Sequence, residues 1–396
     1  MRVAVASDVG DSGHKSAAMA IAAEGAARGH RACDFDLWPA GSVVAGRVLF
    51  QMFRDYAARG VTALPPVIEQ PGLWPEMVAD LLPALTLPDA DALVGTHPWA
   101  AGLLAEVARR DGFGGVVIGV NTDFYPFPAS THPRIDYYTG VFPKPVLPPA
   151  MRARLRPLGI PVRPGFADPT SAAGPAVAPA DRDVLLVTVG ARAFIPLSGI
   201  LEFAAELQRV LPAARVVVCT GRGADGVSAG VQRRGVDVRH GLADLSGLMR
   251  QARLVISRPS GLTVAEALAA GAVPVLIPSD VPWEADAARH LAHAGLAVPL
   301  RAARPLDAAP VAALWPDAGR IAALAEAGAR LELRASASRL WDLIESGRPG
   351  PPPPLPRAEE VLRAAYLLRL EAAQRADSMP RTAAFLRQAM LDWYAR

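Results

Sequence analysis

Apolar positions along this chain alternate between two kinds of run. Residues Arg2–Ser7, 92–96, Val116–Val120, Val184–Val189, 215–219, 236–239, 254–256 and 273–277 form short runs dominated by Val, Ile, Leu and Ala. Such runs suit parallel strands buried on both faces, and residues 34–36 suggest one more. Residues 15–27, 99–110, 200–210, 245–251, 262–270 and 321–346 instead carry their apolar residues at helical spacing. Strand and helix in turn predict the α/β class, with helices covering parallel sheets. Two stretches interrupt the pattern: DPTSAAGPAVAPA at 168–180 and GRPGPPPPLP at 347–356. The first is a Pro/Ala/Gly linker and the second a stiff polyproline-type spacer. The expected organisation is a first domain over 1–166, a linker over 167–180, a second domain over 181–346 and a helical tail over 347–396.

The most informative stretch is 254–278, LVISRPSGLTVAEALAAGAVPVLIP. A buried strand leads into the turn residues 257–261, then a helix with Leu262, Ala265, Leu268 and Ala269 on one face. Gly271 stops that helix and a second buried strand follows, making one βαβ unit. Its loop offers free backbone N–H groups at a helix N-terminus, a natural seat for phosphate. Glu266, one turn in, could accept two hydrogen bonds from vicinal hydroxyls such as a ribose diol. A βαβ unit with an ordinary surface glutamate has the same pattern. At the other end of the chain, His14 follows a loop containing Gly10 and Gly13, between a strand and an alanine-rich helix. In α/β sheets that turn is where ligands sit, although a helix-capping or surface histidine fits the position too.

These stretches carry a resemblance. SRPSGLTVAEALAAGAVPVLI resembles the nucleotide-binding signature of glycosyltransferase family 28, which includes monogalactosyldiacylglycerol synthase and the processive diacylglycerol glucosyltransferase. SDVGDSGHKSAAMAI is similar to the family's first motif, with Asp11 and Ser12 where it has glycines. Asn121-Thr122-Asp123-Phe124, followed by Thr131-His132-Pro133, resembles its acceptor-side segment, and 159–166 (GIPVRPGF) the segment leading out of its first domain. The resemblance implies the GT-B architecture: two Rossmann-like domains facing across a cleft, here with a helical C-terminal extension. It implies inverting transfer of a hexose from a UDP-sugar to a lipid hydroxyl, diacylglycerol or a relative, with neither cofactor nor metal. His14 matches the base that deprotonates the acceptor. Imidazole suits that role because its ordinary pKa, about 6.5, is close to working pH. Asp123 would orient His14 or bind an acceptor hydroxyl, and Gly13 and His132 would line the acceptor side.

On the donor side, Ser260, Gly261, Leu262 and Thr263 match the phosphate loop and Glu266 the ribose-binding glutamate. Gly190 and Gly221 stand at Gly-containing turns that approach the donor, and His240, Gly241 and Leu242 at the turn that holds uracil. Where the family grips the sugar with a glutamine and an asparagine, this chain has Glu284 and Ala288. Glu284 can accept from sugar hydroxyls but not donate, which also keeps open a non-catalytic UDP-sugar-binding relative. A nonhydrolysing UDP-sugar 2-epimerase is the other alternative.

Composition narrows the partners. A net charge of +3 over 396 residues does not call for nucleic acid, and Cys33 and Cys219 are too few for a disulfide framework or zinc site. No stretch has the roughly 20 apolar residues of a membrane span, and no signal peptide is evident, so a cytoplasmic location is expected. Residues 38–56 interleave Phe50, Phe53 and Tyr56 with Arg47 and Arg54. That profile fits either an interfacial helix docked on the cytoplasmic membrane face or core packing.

Overall fold

The computed structural model describes residues 1–7, 13–36, 86–124, 135–142, 153–167, 177–189, 196–220, 234–242, 244–279, 282–303 and 305–349. Two compact units account for the chain, one formed by Met1–Ile160 with Ala337–Arg396 and the other by Pro161–Ser336. Residues 38–56 and 350–396, which hold most of the spacer and the rest of the tail, lie outside the described residues.

The first unit is built on a six-stranded parallel sheet in the order β2-β1-β3-β4-β5-β6. Its strands are β1 (Arg2–Ser7), β2 (Arg31–Asp36), β3 (Ala92–Gly95), β4 (Val116–Val120), β5 (Tyr137–Thr139) and β6 (Leu155–Arg156). The helices α1 (Gly13–Ala27) and α2 (Pro98–Arg110) follow β1 and β3. From β1 the chain moves to one side for β2 and to the other for β3. That reversal is a topological switch point, where the carboxyl ends of open α/β sheets bind ligands. Val3, Val5, Val94, Ile118 and Val120 are buried with Ala18 and Ile21 of α1.

The second unit repeats the plan, with strand order β12-β11-β10-β7-β8-β9. Its helices are α3 (Pro164–Ala167), α4 (Leu197–Val210), α5 (Ser246–Gln251), α6 (Gly261–Ala269), α7 (Pro282–His293), α8 (Ala309–Leu314) and α9 (Ala318–Ala329). The strands β7 (Val184–Val189), β8 (Arg215–Thr220) and β9 (Asp237–His240) run to one side. β10 (Ala252–Ser257), β11 (Val273–Leu276) and β12 (Val298–Pro299) run to the other, so the switch point lies between β7 and β10. The expected βαβ unit is present as β10, α6 and β11, with Gly271 in the left-handed region (φ 73°) just past the helix.

The second domain, expected to reach residue 346, ends instead at Ser336. The helix expected over 321–346 is broken: Glu332 adopts a left-handed conformation (φ 49°) between α9 and the last helix among the described residues, α10 (Ser336–Ser346). Leu340, Trp341 and Ile344 of α10 complete the first unit's core. Trp341 donates from its indole to the Ile21 carbonyl (2.8 Å), and its ring fills the space a Cβ on Gly25 would occupy. Arg28 reaches Asp342 (2.7 Å) and the Ser338 carbonyl (2.9 Å). Burial of a tryptophan outweighs the continuity of a helical pattern. Among the described residues, no helix is long and apolar enough to cross a membrane.

Candidate functional site

In the first unit the chemistry gathers where β1, β3 and β4 end. His14 is the second residue of α1 and is partly buried. Its Nδ1 lies 2.8 Å from the Thr96 carbonyl oxygen and 2.9 Å from the Thr122 hydroxyl. A carbonyl only accepts, so Nδ1 carries the proton in the neutral ring and Nε2 presents its lone pair. Thr96 returns a hydrogen bond from its hydroxyl to the His14 carbonyl (2.9 Å), fixing the helix start. The buried His97 meets the His14 ring edge-on, with centroids 4.6 Å apart.

Asp123 is half-buried one residue beyond Thr122. Asn121 braces it, donating to the Asp123 carbonyl (2.8 Å) and accepting from its N–H (3.3 Å). The resemblance has Asp123 orient His14 or bind an acceptor hydroxyl; at Nδ1 of His14 the partners are the Thr96 carbonyl and the Thr122 hydroxyl. Of the three neighbours, sequence reasoning missed Thr96 and His97 and had Thr122 only as part of the acceptor-side segment. Thr96-His97-Pro98 directly after a strand was the available signal. Gly13 opens α1 and is exposed; His132 lies outside the described residues.

In the second unit Ser260 precedes α6 in an extended conformation (φ −79°, ψ 127°). The first intrahelical bond runs from the Val264 N–H to the Ser260 carbonyl (3.0 Å). The N–H groups of Gly261, Leu262 and Thr263 therefore have no acceptor within the helix, the arrangement expected of a phosphate seat. Glu266 differs from the expectation of an open carboxylate. It is 2% exposed, and Arg163 grips it bidentately, Nε to Oε1 at 2.6 Å and Nη2 to Oε2 at 2.7 Å. Burial pushes this carboxyl above the usual range, and the guanidinium's hydrogen bonds and charge oppose that push.

Glu284 also departs from expectation. It is 5% exposed, and Arg258 and Ser279 occupy its oxygens. A carboxylate so held ties α7 to the β10–α6 loop. At the end of β9, His240 Nδ1 lies 2.7 Å from the Thr220 hydroxyl. The Gly241 N–H donates to the Thr220 carbonyl (3.1 Å) with Gly241 at φ 59°, and Leu242 is exposed. Gly190 and Gly221 lie outside the described residues. Burial pushes the Cys219 thiol up to about 11, which keeps it from acting as a nucleophile at neutral pH.

No protein-family model matches this sequence, and a search of curated proteins gives no significant match. Solved structures match over most of the chain. The glycotransferase of kitacinnamycin is 19% identical with a TM-score of 0.56, covering 88% of this chain and 99% of its own. MurG of Acinetobacter baumannii is 17% identical with a TM-score of 0.52, covering 87% and 99%. A protein described as a UDP-N-acetylglucosamine 2-epimerase, from Listeria monocytogenes, is 12% identical with a TM-score of 0.51, covering 88% and 99%. The chain has the GT-B fold. At these identities the likeness concerns the fold alone, because the same architecture serves both transferases and epimerases.

Proposed function

We propose that this protein is an inverting glycosyltransferase that moves a hexose from a UDP-sugar to the hydroxyl of a membrane lipid of the diacylglycerol type. The observation that carries the reading is His14 held in its Nδ1–H form at the switch point of the first sheet. Nε2 is then the atom that takes the acceptor's proton as the hydroxyl attacks the anomeric carbon. The second unit binds the donor. The free N–H groups of Gly261, Leu262 and Thr263 face the diphosphate and stabilise the charge of departing UDP. Glu266 accepts from a ribose hydroxyl, and the turn at His240, Gly241 and Leu242 receives the base. Asp123 contributes on the acceptor side, binding a hydroxyl. The protein works on the cytoplasmic membrane face as a peripheral enzyme without a resident cofactor.

The test is incubation with radiolabelled UDP-sugars and total membrane lipid. Label in the organic phase supports transfer. An epimerised free nucleotide sugar would assign the protein to the 2-epimerase chemistry instead, and UDP binding without turnover would make it a non-catalytic relative.

A further inference from the structure

The motif GIPVRPGF places Arg163 where it has a task of its own in the second unit. Arg163 reaches from the segment before α3 to Glu266 on α6, 103 positions later in the chain. Neighbours fix that segment. The Gly165 carbonyl accepts from Arg250, and a Cβ on Gly165 would lie 2.9 Å from the Ser246 hydroxyl oxygen. Ser246 in turn donates through its N–H (2.9 Å) and its hydroxyl (2.7 Å) to Asp244. The fork of Arg163 is thus aimed before any ligand arrives.

An ionised carboxylate buried this deeply would give way to its neutral form without a counter-charge. Each ionised carboxylate oxygen has two lone-pair directions. The Arg163 fork uses one on each oxygen and the Arg163 backbone N–H takes a further one, which leaves a single acceptor direction for a ribose hydroxyl. A protonated carboxyl loses that arrangement, because one oxygen becomes a donor. We propose that Arg163 is the positioning residue of the nucleotide site, holding Glu266 ionised and oriented so that the site selects ribonucleotides over 2′-deoxyribonucleotides. This rests on the reading of Glu266 as the ribose acceptor.

The other charged groups around Glu266 are few among the described residues. Asp244 adds a negative charge that works against Glu266 ionisation. Arg250, on α5, is committed to Gly165. Arg334, beyond α9, donates to the Ala269 carbonyl at the far end of α6 (2.7 Å). On α9, Glu326 and Arg330 pair with each other at the surface. Arg163 is therefore the cation that meets the Glu266 carboxylate.

The experiment measures the affinity ratio of UDP to 2′-deoxy-UDP by calorimetry between pH 5.5 and 8.5, a ratio in which ionisation of the phosphates cancels. The native protein should prefer UDP by about tenfold or more, the loss expected for a hydrogen bond to a charged group, with little pH dependence. In Arg163→Met the preference should collapse at the acid end and recover as rising pH ionises Glu266. Arg163→Lys, which keeps the charge without the fork, should fall between. Glu266→Gln should have a weakened preference at every pH. If Glu266→Gln keeps the native ratio, the ribose reading itself fails. If Glu266→Gln loses the preference while Arg163→Met and Arg163→Lys keep it unchanged at every pH, Glu266 needs no help and the proposal about Arg163 is wrong. Should Arg163→Met fail to fold, Arg163→Lys carries the same decision through its intermediate ratio.

Discussion

The two units share a sheet plan but hold their key side chains by different means. His14 in the first unit is fixed by neutral partners, a backbone carbonyl and a threonine hydroxyl. In the second unit Glu266 and Glu284 are each buried and each gripped by an arginine. On the proposed reading, the difference follows from what each group does. An imidazole that takes up a proton needs one nitrogen fixed and the other left basic, which neutral hydrogen bonds achieve. A carboxylate out of water needs a counter-charge to stay ionised. Changes in the first unit should therefore act on turnover with little effect on stability, and changes in the second on binding and stability together.

The largest expected effect belongs to His14→Ala. Loss of an acid–base group lowers turnover by ~10²–10⁴, while UDP affinity and the thermal midpoint should stay near native. Paired measurement of lipid glycosylation and UDP binding on the same variant decides it. Near-normal turnover would remove His14 from the chemistry, and parallel losses in both assays would report a misfolded first unit.

Next comes Arg258→Met, which strands Glu284 in the interior. Breaking a buried pair by removing one partner costs about 3–5 kcal/mol. Urea unfolding should register that loss, and adding Glu284→Gln should recover part of it, since a neutral pair needs no counter-charge. If Arg258→Met proves harmless, Glu284 is not held as an ion, and the contrast between the units weakens. Glu266→Ala should be milder, weakening UDP by about 1.5–3 kcal/mol in calorimetry. Unchanged affinity in the folded variant would reduce Glu266 to a structural partner of Arg163.

Legibility from sequence divides along the same line. The βαβ unit around α6 was readable because its strands are unbroken apolar runs and Gly271 ends the helix where a left-handed residue is required. His14 was readable as a position, but its orienting group was not, because a backbone carbonyl leaves no side-chain signature. Glu266 and Glu284 were readable as carboxylates on helices. Their arginine partners were not, since Arg163 and Arg258 meet them only through the folded sheet. The short strands β5 and β6 escaped notice because 3 and 2 residues are too few to show a period. The allegiance of α10 was hidden for another reason: a helical pattern shows which face is apolar but not which sheet that face will cover.

The smallest effect tests the first unit most finely. Thr122 is 4% exposed and its hydroxyl shares His14 Nδ1 with the Thr96 carbonyl. Thr122→Val keeps the shape and deletes one neutral hydrogen bond, a change of about 0.5–1.5 kcal/mol. The Thr96 carbonyl remains, and a carbonyl alone suffices to keep the proton on Nδ1. Turnover should then fall by no more than about tenfold. Long-range proton–nitrogen NMR should still find His14 with its proton on Nδ1. A switch to the Nε2–H form, with turnover collapsing toward the level of His14→Ala, would show that the hydroxyl sets the tautomer. The same spectrum of Asp123→Asn supplies the control. If the tautomer moves there and stays put in Thr122→Val, the orienting role returns to the carboxylate, and the first unit relies on charge just as the second does.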